Sequence, residues 1–188
     1  GANLAAGDVT GDGVPDIVVG AGPGGGGHLR VFNRYGAFSG FSVFPFGADH
    51  HGGVDVAIGD VDGDGTGELI ASVARYGEPR VKVYEVDRSK TILGYFLAFP
   101  KSHRGGVDVA AADLDGDGRS EIIAGVSAVG GPQVLVYDGS GRLRKGGLFT
   151  YERTFRGGVR LAAADVDGDR LGEIIVVPSK THAEGRTD

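Results

Sequence analysis

Apolar and polar positions follow one another in a unit that repeats along the chain. Small residues and valines, as in 52–59, precede an aspartate-rich stretch, and an apolar run with β-branched residues, as in 69–71, follows it. The third run has β-branched or leucine residues at alternate positions (residues 29–32, 80–84 and 133–137), and the fourth is rich in aromatic residues (41–46, 93–99 and 148–151). Runs of this length and period are typical of β-strands. The pattern therefore predicts four short antiparallel strands per unit and no helix.

The aspartate-rich stretch recurs at a nearly constant interval. Its copies start at residues 8, 60, 113 and 165, with spacings of 52, 53 and 52 residues. A period in this range is typical of solenoids and propellers. Each copy has oxygen-bearing side chains at its first, third, fifth and ninth positions. They are Asp8, Thr10, Asp12 and Asp16; Asp60, Asp62, Asp64 and Glu68; Asp113, Asp115, Asp117 and Glu121; Asp165, Asp167, Asp169 and Glu173.

These stretches predict metal loops. Four carboxylates within nine residues repel one another unless a cation lies between them, and hard oxygen ligands in this number suit Ca²⁺. An EF-hand is excluded, because position twelve is Ala71, Ala124 or Val176 and the flanking runs are strands. Solvated acidic turns are the less favoured alternative, because four copies share the spacing. We expect up to four calcium ions, one per repeat, in a structural role.

Composition changes this picture little. The 188 residues include no cysteine, which excludes a disulfide scaffold. The chain has 37 glycines, but 40% of its residues are hydrophobic, and this content argues against disorder. Of the 25 acidic residues, 15 lie in the four stretches, and four bound Ca²⁺ would move the net charge from −6 to about +2. No basic run indicates a nucleic-acid partner, and no apolar run is long enough to span a membrane. The missing start methionine and signal peptide suggest a mature or excised segment.

Four strands per repeat predict an all-β fold made of β-propeller-type blades. The chain provides about 3.5 repeats of roughly 52 residues. We assign residues 1–51, 52–104 and 105–156 to three blades, 157–178 to a partial fourth, and 179–188 to a polar tail. Because propellers have four to eight blades, this count leaves the ring unfinished. We expect a piece of a longer protein; the alternative is that other chains complete the sheet.

The combination of D-x-D-G-D-G-x-x-E with E-I-I-A-G and glycine-rich turns resembles the FG-GAP (integrin-alpha-like) repeats, in their glycine-rich bacterial form, over residues 1–178. The resemblance implies a β-propeller with Ca²⁺ in the loop between the first two strands of each blade. It also implies an extracellular or cell-surface setting and a role in adhesion, ligand binding or scaffolding. At the seventh loop position it implies carbonyl ligands, from Val14, Thr66, Arg119 and Leu171.

Nothing in the sequence predicts catalytic or cofactor-binding residues. His50 and His103 stand at equivalent positions ten residues before their loops, whereas a catalytic group is normally needed once. Residues 20–27 lack the Lys-Ser/Thr of a phosphate loop and predict a hairpin. We therefore expect a non-enzymatic extracellular calcium-binding module for adhesion, ligand binding or structural assembly, whose partner is a protein or carbohydrate surface or another copy. The alternative is the propeller of a carbohydrate-active enzyme, a polysaccharide lyase or a lectin-like domain.

Overall fold

The computed structural model describes residues 1–179, and the regular elements in that range are β-strands, as the alternation predicts. The part of the predicted polar tail from residue 180 onward lies outside the described residues. Within the described range, no helix is long and apolar enough to cross a membrane. The strands are β1 (Ala2–Gly7), β2 (Asp16–Ala21), β3 (Leu29–Phe32), β4 (Phe38–Val43), β5 (Val54–Gly59), β6 (Glu68–Val73), β7 (Arg80–Tyr84), β8 (Ile92–Leu97), β9 (Val107–Ala112), β10 (Glu121–Val126), β11 (Gln133–Tyr137), β12 (Leu143–Phe149), β13 (Val159–Ala164) and β14 (Glu173–Pro178).

The strands form three four-stranded antiparallel sheets and one two-stranded sheet. Strands pair in chain order, as β1-β2-β3-β4, β5-β6-β7-β8, β9-β10-β11-β12 and β13-β14. The first strands of successive sheets, β1, β5, β9 and β13, contact one another in turn. This arrangement matches the blades of a partial propeller with β1, β5, β9 and β13 innermost, and confirms the predicted fold class. The repeat boundaries themselves stay a prediction.

The hydrophobic core lies between successive sheets. Leu69 packs with the first sheet, whereas its neighbour Ile70 packs with the third, because consecutive strand residues point to opposite faces. Ile122 and Ile123 divide in the same way between the second sheet and β13-β14. These side chains are fully buried, and each contributes about 1.5–3 kcal/mol through removal from water. Double-sided burial explains why β6 and β10 each contain consecutive apolar residues, at 69–71 and 122–124.

Half of the aromatic residues expected in the fourth strands lie beyond those strands. β4, β8 and β12 begin and end earlier in the chain than the predicted runs. In each blade an aromatic residue beyond the strand forms a ring pair with the segment that leads to the next blade. Those pairs are Phe46 with His50, Phe99 with His103, and Tyr151 with Phe155. Packing in this turn overrides the β-propensity of the aromatic side chains.

We expect Gly105→Ala to destabilise the fold strongly. A Cβ at this position would lie 1.7 Å from the Ala128 carbonyl oxygen, in the segment that continues the paired strands β9 and β10. Relief requires a backbone shift, so the free energy of unfolding should fall by about 1–3 kcal/mol or more. Chemical denaturation would measure the change. Gly131→Ala is the matched control, because nothing lies within 4 Å of its Cβ; equal losses in the two variants would contradict the close-approach argument.

Candidate metal centres

Each loop between the first and second strands of a blade folds around the aspartate at its first position. Asp60 Oδ1 accepts a hydrogen bond from Gly63 N at 2.7 Å, and its Oδ2 accepts one from Gly65 N at 2.9 Å. Both glycines have positive φ, 81° and 91°, which turns their N–H groups inward. The same pair of bonds forms at Asp8, Asp113 and Asp165.

The ninth loop position is fixed by the sheet. Glu68 is the first residue of β6 and is fully buried, and its Oε2 accepts a hydrogen bond from Val61 N at 2.7 Å. Glu121 and Glu173 accept the equivalent bonds from Leu114 N and Val166 N at 2.9 and 2.8 Å. The sheet thus holds one carboxylate against a glycine-rich loop.

In three loops the carboxylates at positions one, three and nine converge. Each group offers one oxygen per residue, all within 4.8 Å of one another. That spacing is about twice a Ca²⁺–oxygen distance, so one ion can contact all three oxygens. Moreover, Glu68 Oε1 is buried without a hydrogen-bond partner among the described residues. The residues therefore fit a calcium ion. The groups are Asp60, Asp62 and Glu68; Asp113, Asp115 and Glu121; Asp165, Asp167 and Glu173.

A fourth acidic group is present, but it does not lie in the first loop, where the expectation of one ion per repeat places it. It consists of Asp62, Asp64 and Glu85, beside the second loop. Among the described residues, the carboxylates of the first loop form no such group. In the first loop Thr10 replaces the third-position aspartate, and its Oγ1 donates a hydrogen bond to Asp16 Oδ2 at 3.0 Å. In the other three loops the ninth-position carboxylate lies near a third-position carboxylate instead. An ion in the first loop stays a prediction.

The remaining assigned ligands also stay predictions. The fifth-position aspartates Asp12, Asp117 and Asp169 lie outside the converged groups. Each of them, like Asp64, accepts a hydrogen bond from the N–H of the seventh residue, at 2.7–2.9 Å. The carbonyls assigned to calcium belong to those seventh residues, namely Val14, Thr66, Arg119 and Leu171.

Burial makes the carboxyl groups of Glu68 and Glu121 costly to ionise. Desolvation raises the pKa of Glu68 to about 7 despite the Val61 N–H bond, and the negative charges of Asp62, Glu85 and Asp60 add to the effect. Burial likewise raises the pKa of Glu121. At Asp113, burial opposes ionisation, but the N–H donors of Gly116 and Gly118 outweigh it and lower the pKa. A divalent cation would supply the positive charge that the buried glutamates lack.

Hydrogen bonds connect the loops of neighbouring blades. The eighth residue of each loop donates its N–H to the carbonyl of the first-position aspartate in the preceding loop. The pairs are Gly67 N with Asp8 O at 2.8 Å, Ser120 N with Asp60 O at 2.6 Å, and Gly172 N with Asp113 O at 2.7 Å. An ion that orders one loop therefore also orders the contact between two blades.

We predict that the second and third loops bind calcium more tightly than the first and fourth. The first loop has the neutral Thr10 at its third position, and the fourth has Arg170 where the others have glycine. Calorimetric titration of variants that each retain one intact loop would rank the affinities. Equal affinities in all four would contradict the ranking.

Arg170→Gly should stabilise the fourth loop. Arg170 has a φ of 73°, a conformation that costs a residue with a Cβ about 1 kcal/mol more than glycine. Glycine retains the N–H that donates to Asp165 Oδ2. The free energy of unfolding should therefore rise by about 1 kcal/mol in a denaturation experiment. The reciprocal change, Gly118→Arg in the third loop, is the control and should lower it; the same sign in both variants would contradict the strain argument.

The histidines that stand in register have matching structural roles. His50 Nε2 lies 3.2 Å from Gly53 O, and His103 Nε2 lies 3.2 Å from Gly106 O. In the following blade Phe155 takes the equivalent position against Tyr151. Recurrence of the same contact supports a role in blade geometry.

Sequence reasoning missed two groups of polar residues. Glu85 joins the second loop from the end of β7; an acidic residue directly after the third strand was the available signal. Asp55 and Asp108 are buried on the innermost strands, beside Arg160. Their signal was an aspartate at the same position of two otherwise apolar runs.

The chain is similar to known proteins in its repeat family and in its fold. A model of the FG-GAP-like repeat matches residues 8–71 and 113–176. The exotype rhamnogalacturonan lyase YesX superimposes with a TM-score of 0.61 at 19% identity, covering 95% of this chain and 39% of that one. Rhamnogalacturonan lyase PL11 from Bacillus licheniformis gives 0.64 at 19% identity, covering 95% and 41%. The chain thus spans about two fifths of these lyases, and the likeness shows the fold. No curated protein sequence matches the chain.

Proposed function

Because the chain belongs to the FG-GAP-like repeat family, we propose that it is a non-enzymatic calcium-binding module in which the ions order the loops between blades. The observation that carries the proposal is the convergence of Asp, Asp and Glu oxygens within 4.8 Å in three loops of identical construction. The buried, unpartnered Oε1 of Glu68 supports it. Calcium is favoured over magnesium because each loop carries four oxygen-bearing side chains, and Ca²⁺ accepts six to eight oxygen ligands.

The ions act structurally in this proposal. The converged groups lie where blades join, and the loops are hydrogen bonded in series from blade to blade. Calcium would therefore hold the blades in register, while their outer surfaces stay free for a partner. Tyr35, Tyr76 and Tyr95 are more than half exposed and offer amphipathic rings to a carbohydrate or protein. We place the module outside the cell or at its surface, where millimolar calcium fills even weak sites.

Isothermal titration with Ca²⁺, followed by a glycan array with the calcium-loaded protein, tests this proposal. We expect saturable calcium binding that is absent from a variant in which the ninth-position glutamates are glutamine. Size-exclusion chromatography with light scattering would detect self-association, the other expected mode of contact. Failure to bind calcium at millimolar concentration would end the proposal.

A second candidate is the propeller of a carbohydrate-active enzyme. It is favoured by the likeness in fold to two rhamnogalacturonan lyases. A lyase needs a base in a cleft, and the cleft of about 460 Å³ between the second and third blades is lined by Arg119 and Arg144 together with acidic residues. The guanidinium groups cannot accept a proton, whereas the carboxylates of Asp117 and Asp138 can. Incubation with rhamnogalacturonan would decide, since a lyase generates unsaturated sugar ends whereas a binding module retains the polymer intact.

A further inference from the structure

A groove lies between the second and third blades, at the end of the strands away from the metal loops. Tyr76, in the turn after β6, and Val129, in the turn after β10, line it together with Arg75 and Arg104. Its volume is about 300 Å³, and none of its lining residues is acidic. The six residues of β6 separate it from the second metal loop by about 20 Å. This distance exceeds the Debye length of about 8 Å at physiological salt, so charge in the groove is independent of the loops.

The two arginines of the groove keep their positive charges. Arg104 donates from its guanidinium to backbone carbonyls of its own turn, including that of His103 at 3.1 Å. These bonds hold the guanidinium in place without neutralising it. Among the described residues, neither Arg75 nor Arg104 forms an ion pair, and Glu78, in the turn that carries Arg75, is paired with Arg80. The groove therefore presents two fixed cations to solvent.

Tyr76 and Val129 are held in a strained conformation and are nevertheless exposed. Their φ angles are 56° and 50°, in the left-handed region, where the first blade has Gly24. That conformation is costly for a residue with a Cβ, and most of all for a β-branched one. The side chains are 77% and 81% exposed, so packing within the chain does not offset the strain. Strained residues of this kind cluster at ligand-binding sites, and these two offer apolar surface to a ligand.

The floor of the groove is fixed by contacts between the two blades. Ser127 is buried, and its Oγ lies 2.7 Å from Ala74 O and 3.0 Å from Gly105 O. Gly77 forms a parallel bridge with Gly105. Because this backbone is already paired, a peptide cannot bind here by adding a strand. A ligand must instead be recognised by the side chains that project from a rigid floor, which lowers the entropic cost of binding.

The neighbouring junctions lack this combination. At the position of Arg75 the first blade has Pro23 and the third has Ala128, and at the position of Arg104 the preceding unit has His51. Only the junction of the second and third blades, among those that the structure describes, thus combines two arginines with side chains on both turns.

We propose that this groove binds an acidic polysaccharide, whose uronate carboxylates pair with Arg75 and Arg104 and whose sugar rings lie against Tyr76 and Val129. The planar guanidinium matches a carboxylate through two parallel hydrogen bonds. A sugar ring has an apolar C–H face suited to an exposed aromatic ring. The volume is at the lower end of the range for ligand clefts, which suits a short stretch of polymer. The proposal rests on the partner-binding role proposed above and names its ligand class and its location.

Fluorescence anisotropy with a labelled trimer of galacturonic acid, in calcium-containing buffer, tests the proposal on the full chain. The methyl ester of the same trimer is the matched uncharged probe. We expect saturable binding of the acid, binding of the ester that is weaker by roughly tenfold or more, and an affinity for the acid that falls as salt rises. Equal affinities for the acid and the ester, or no binding of the acid at millimolar concentration, would overturn the proposal.

Two variants place residues from other blades in the groove. Arg75→Ala introduces the residue that the third blade has as Ala128, and Arg104→His the one that occurs as His51, so both are compatible with the fold. Each should weaken binding of the acid trimer by roughly tenfold or more. Arg156→His is the matched control, because Arg156 makes the same turn contacts beside Ala128 and should be dispensable. Wild-type affinity in both groove variants would overturn the proposal.

Tyr76→Gly separates binding from folding. Glycine is the residue of the first blade at this position, as Gly24, and it relieves the strained φ. The urea midpoint should therefore rise while the affinity for the trimer falls. An unchanged affinity would show that the ring does not contact the sugar and would overturn the proposed mode of binding.

The outcomes also separate this inference from the function on which it rests. A chain that binds calcium but not the acid trimer overturns this inference alone. A chain that binds the trimer but no calcium overturns the calcium-binding module alone. Polyglutamate that competes with the trimer at equal concentration of carboxylates would show that the groove does not distinguish sugar from peptide, and would overturn the carbohydrate assignment.

Discussion

Removal of calcium is expected to lower the melting temperature of this protein by roughly 15–30 °C. A ligand that binds only the folded state stabilises it by RT ln(1 + [L]/Kd), or about 2.7 kcal/mol per site at a hundredfold excess over Kd. In a chain of this size 1 kcal/mol moves the midpoint by about 2–4 °C. Three loops with converged carboxylates give the stated range. Thermal unfolding followed by circular dichroism, with calcium and with EGTA, measures it.

The location of the loops is the reason to expect so large an effect. The hydrogen bonds from Gly67 N, Ser120 N and Gly172 N connect each loop to the preceding one, so an unfilled loop weakens a junction between blades. Carboxylate repulsion in the metal-free protein adds to the loss. Because salt also screens this repulsion, the chelated sample needs matched ionic strength.

Two additions complete the chelation experiment. Calcium added back in excess should restore the original midpoint. Magnesium should restore it only in part, because Mg²⁺ demands a smaller, octahedral shell and gives up its waters reluctantly. Identical melting curves in calcium and in EGTA would remove calcium from the account of this fold.

The strands and loops could be predicted from sequence because each depends on local pattern. Alternation marked β7 and β11, continuous apolar runs marked β6 and β10, and the fixed spacing of aspartates marked the loops. The backbone at the sixth loop position has a positive φ even at Arg170, because the N–H bonds to Asp165 dictate the loop conformation. Sequence patterns were sufficient for these elements because the interactions that form them lie within a few residues of one another.

Contacts that depend on tertiary packing could not be predicted in this way. Glu85 reaches the second loop from the end of β7, where Asp87 and not Glu85 accepts the Thr91 N–H that closes the turn, and no pattern within the loop shows this. The aromatic residues after β4, β8 and β12 read as strand, yet ring packing in the turn decides their position. Asp55 and Asp108 lie in apolar runs, and their roles depend on the neighbouring blade.

That neighbouring-blade contact is a ladder along the innermost strands. Asn3 Nδ2 donates to Val54 O at 2.8 Å, and Asp55 Oδ2 accepts from Val109 N at 3.0 Å. Asp108 Oδ2 accepts from Leu161 N at 2.6 Å, and its Oδ1 accepts from the guanidinium of Arg160. The same strand position thus supplies one side chain per blade to hold the next strand.

Within this ladder Asp55 is the residue least suited to carry a charge. Burial, together with the negative charge of Asp108, raises the pKa of Asp55 to about 7. Burial also raises the pKa of Asp108, although the Leu161 N–H bond and Arg160 oppose the rise. Arg160 bonds to Asp108 and not to Asp55, so the charge of Asp55 is the less compensated of the two.

We therefore expect Asp55→Asn to stabilise the protein at neutral and alkaline pH. The raised pKa means that protonation of Asp55 favours the folded state fully below about pH 4, and this contribution is lost as pH rises towards about 7. Asparagine cannot ionise, and its amide oxygen can still accept the Val109 N–H. The variant should match the wild type near pH 4 and exceed it by roughly 2–4 kcal/mol near pH 8, since each unit of pKa shift corresponds to about 1.4 kcal/mol.

Urea denaturation of both proteins across this pH range, in saturating calcium, measures the difference in their free energies of unfolding. The loop carboxylates are the same in both proteins, so their contribution cancels in this difference. Asp108→Asn is the informative comparison. It removes the carboxylate that pairs with the Arg160 guanidinium, so the free energy of unfolding should rise less than in Asp55→Asn, or fall. Asp49→Asn, at an exposed position, should track the wild type at every pH. Parallel stability curves for Asp55→Asn and the wild type would show that Asp55 is ionised in the folded protein, and that the innermost ladder tolerates its charge.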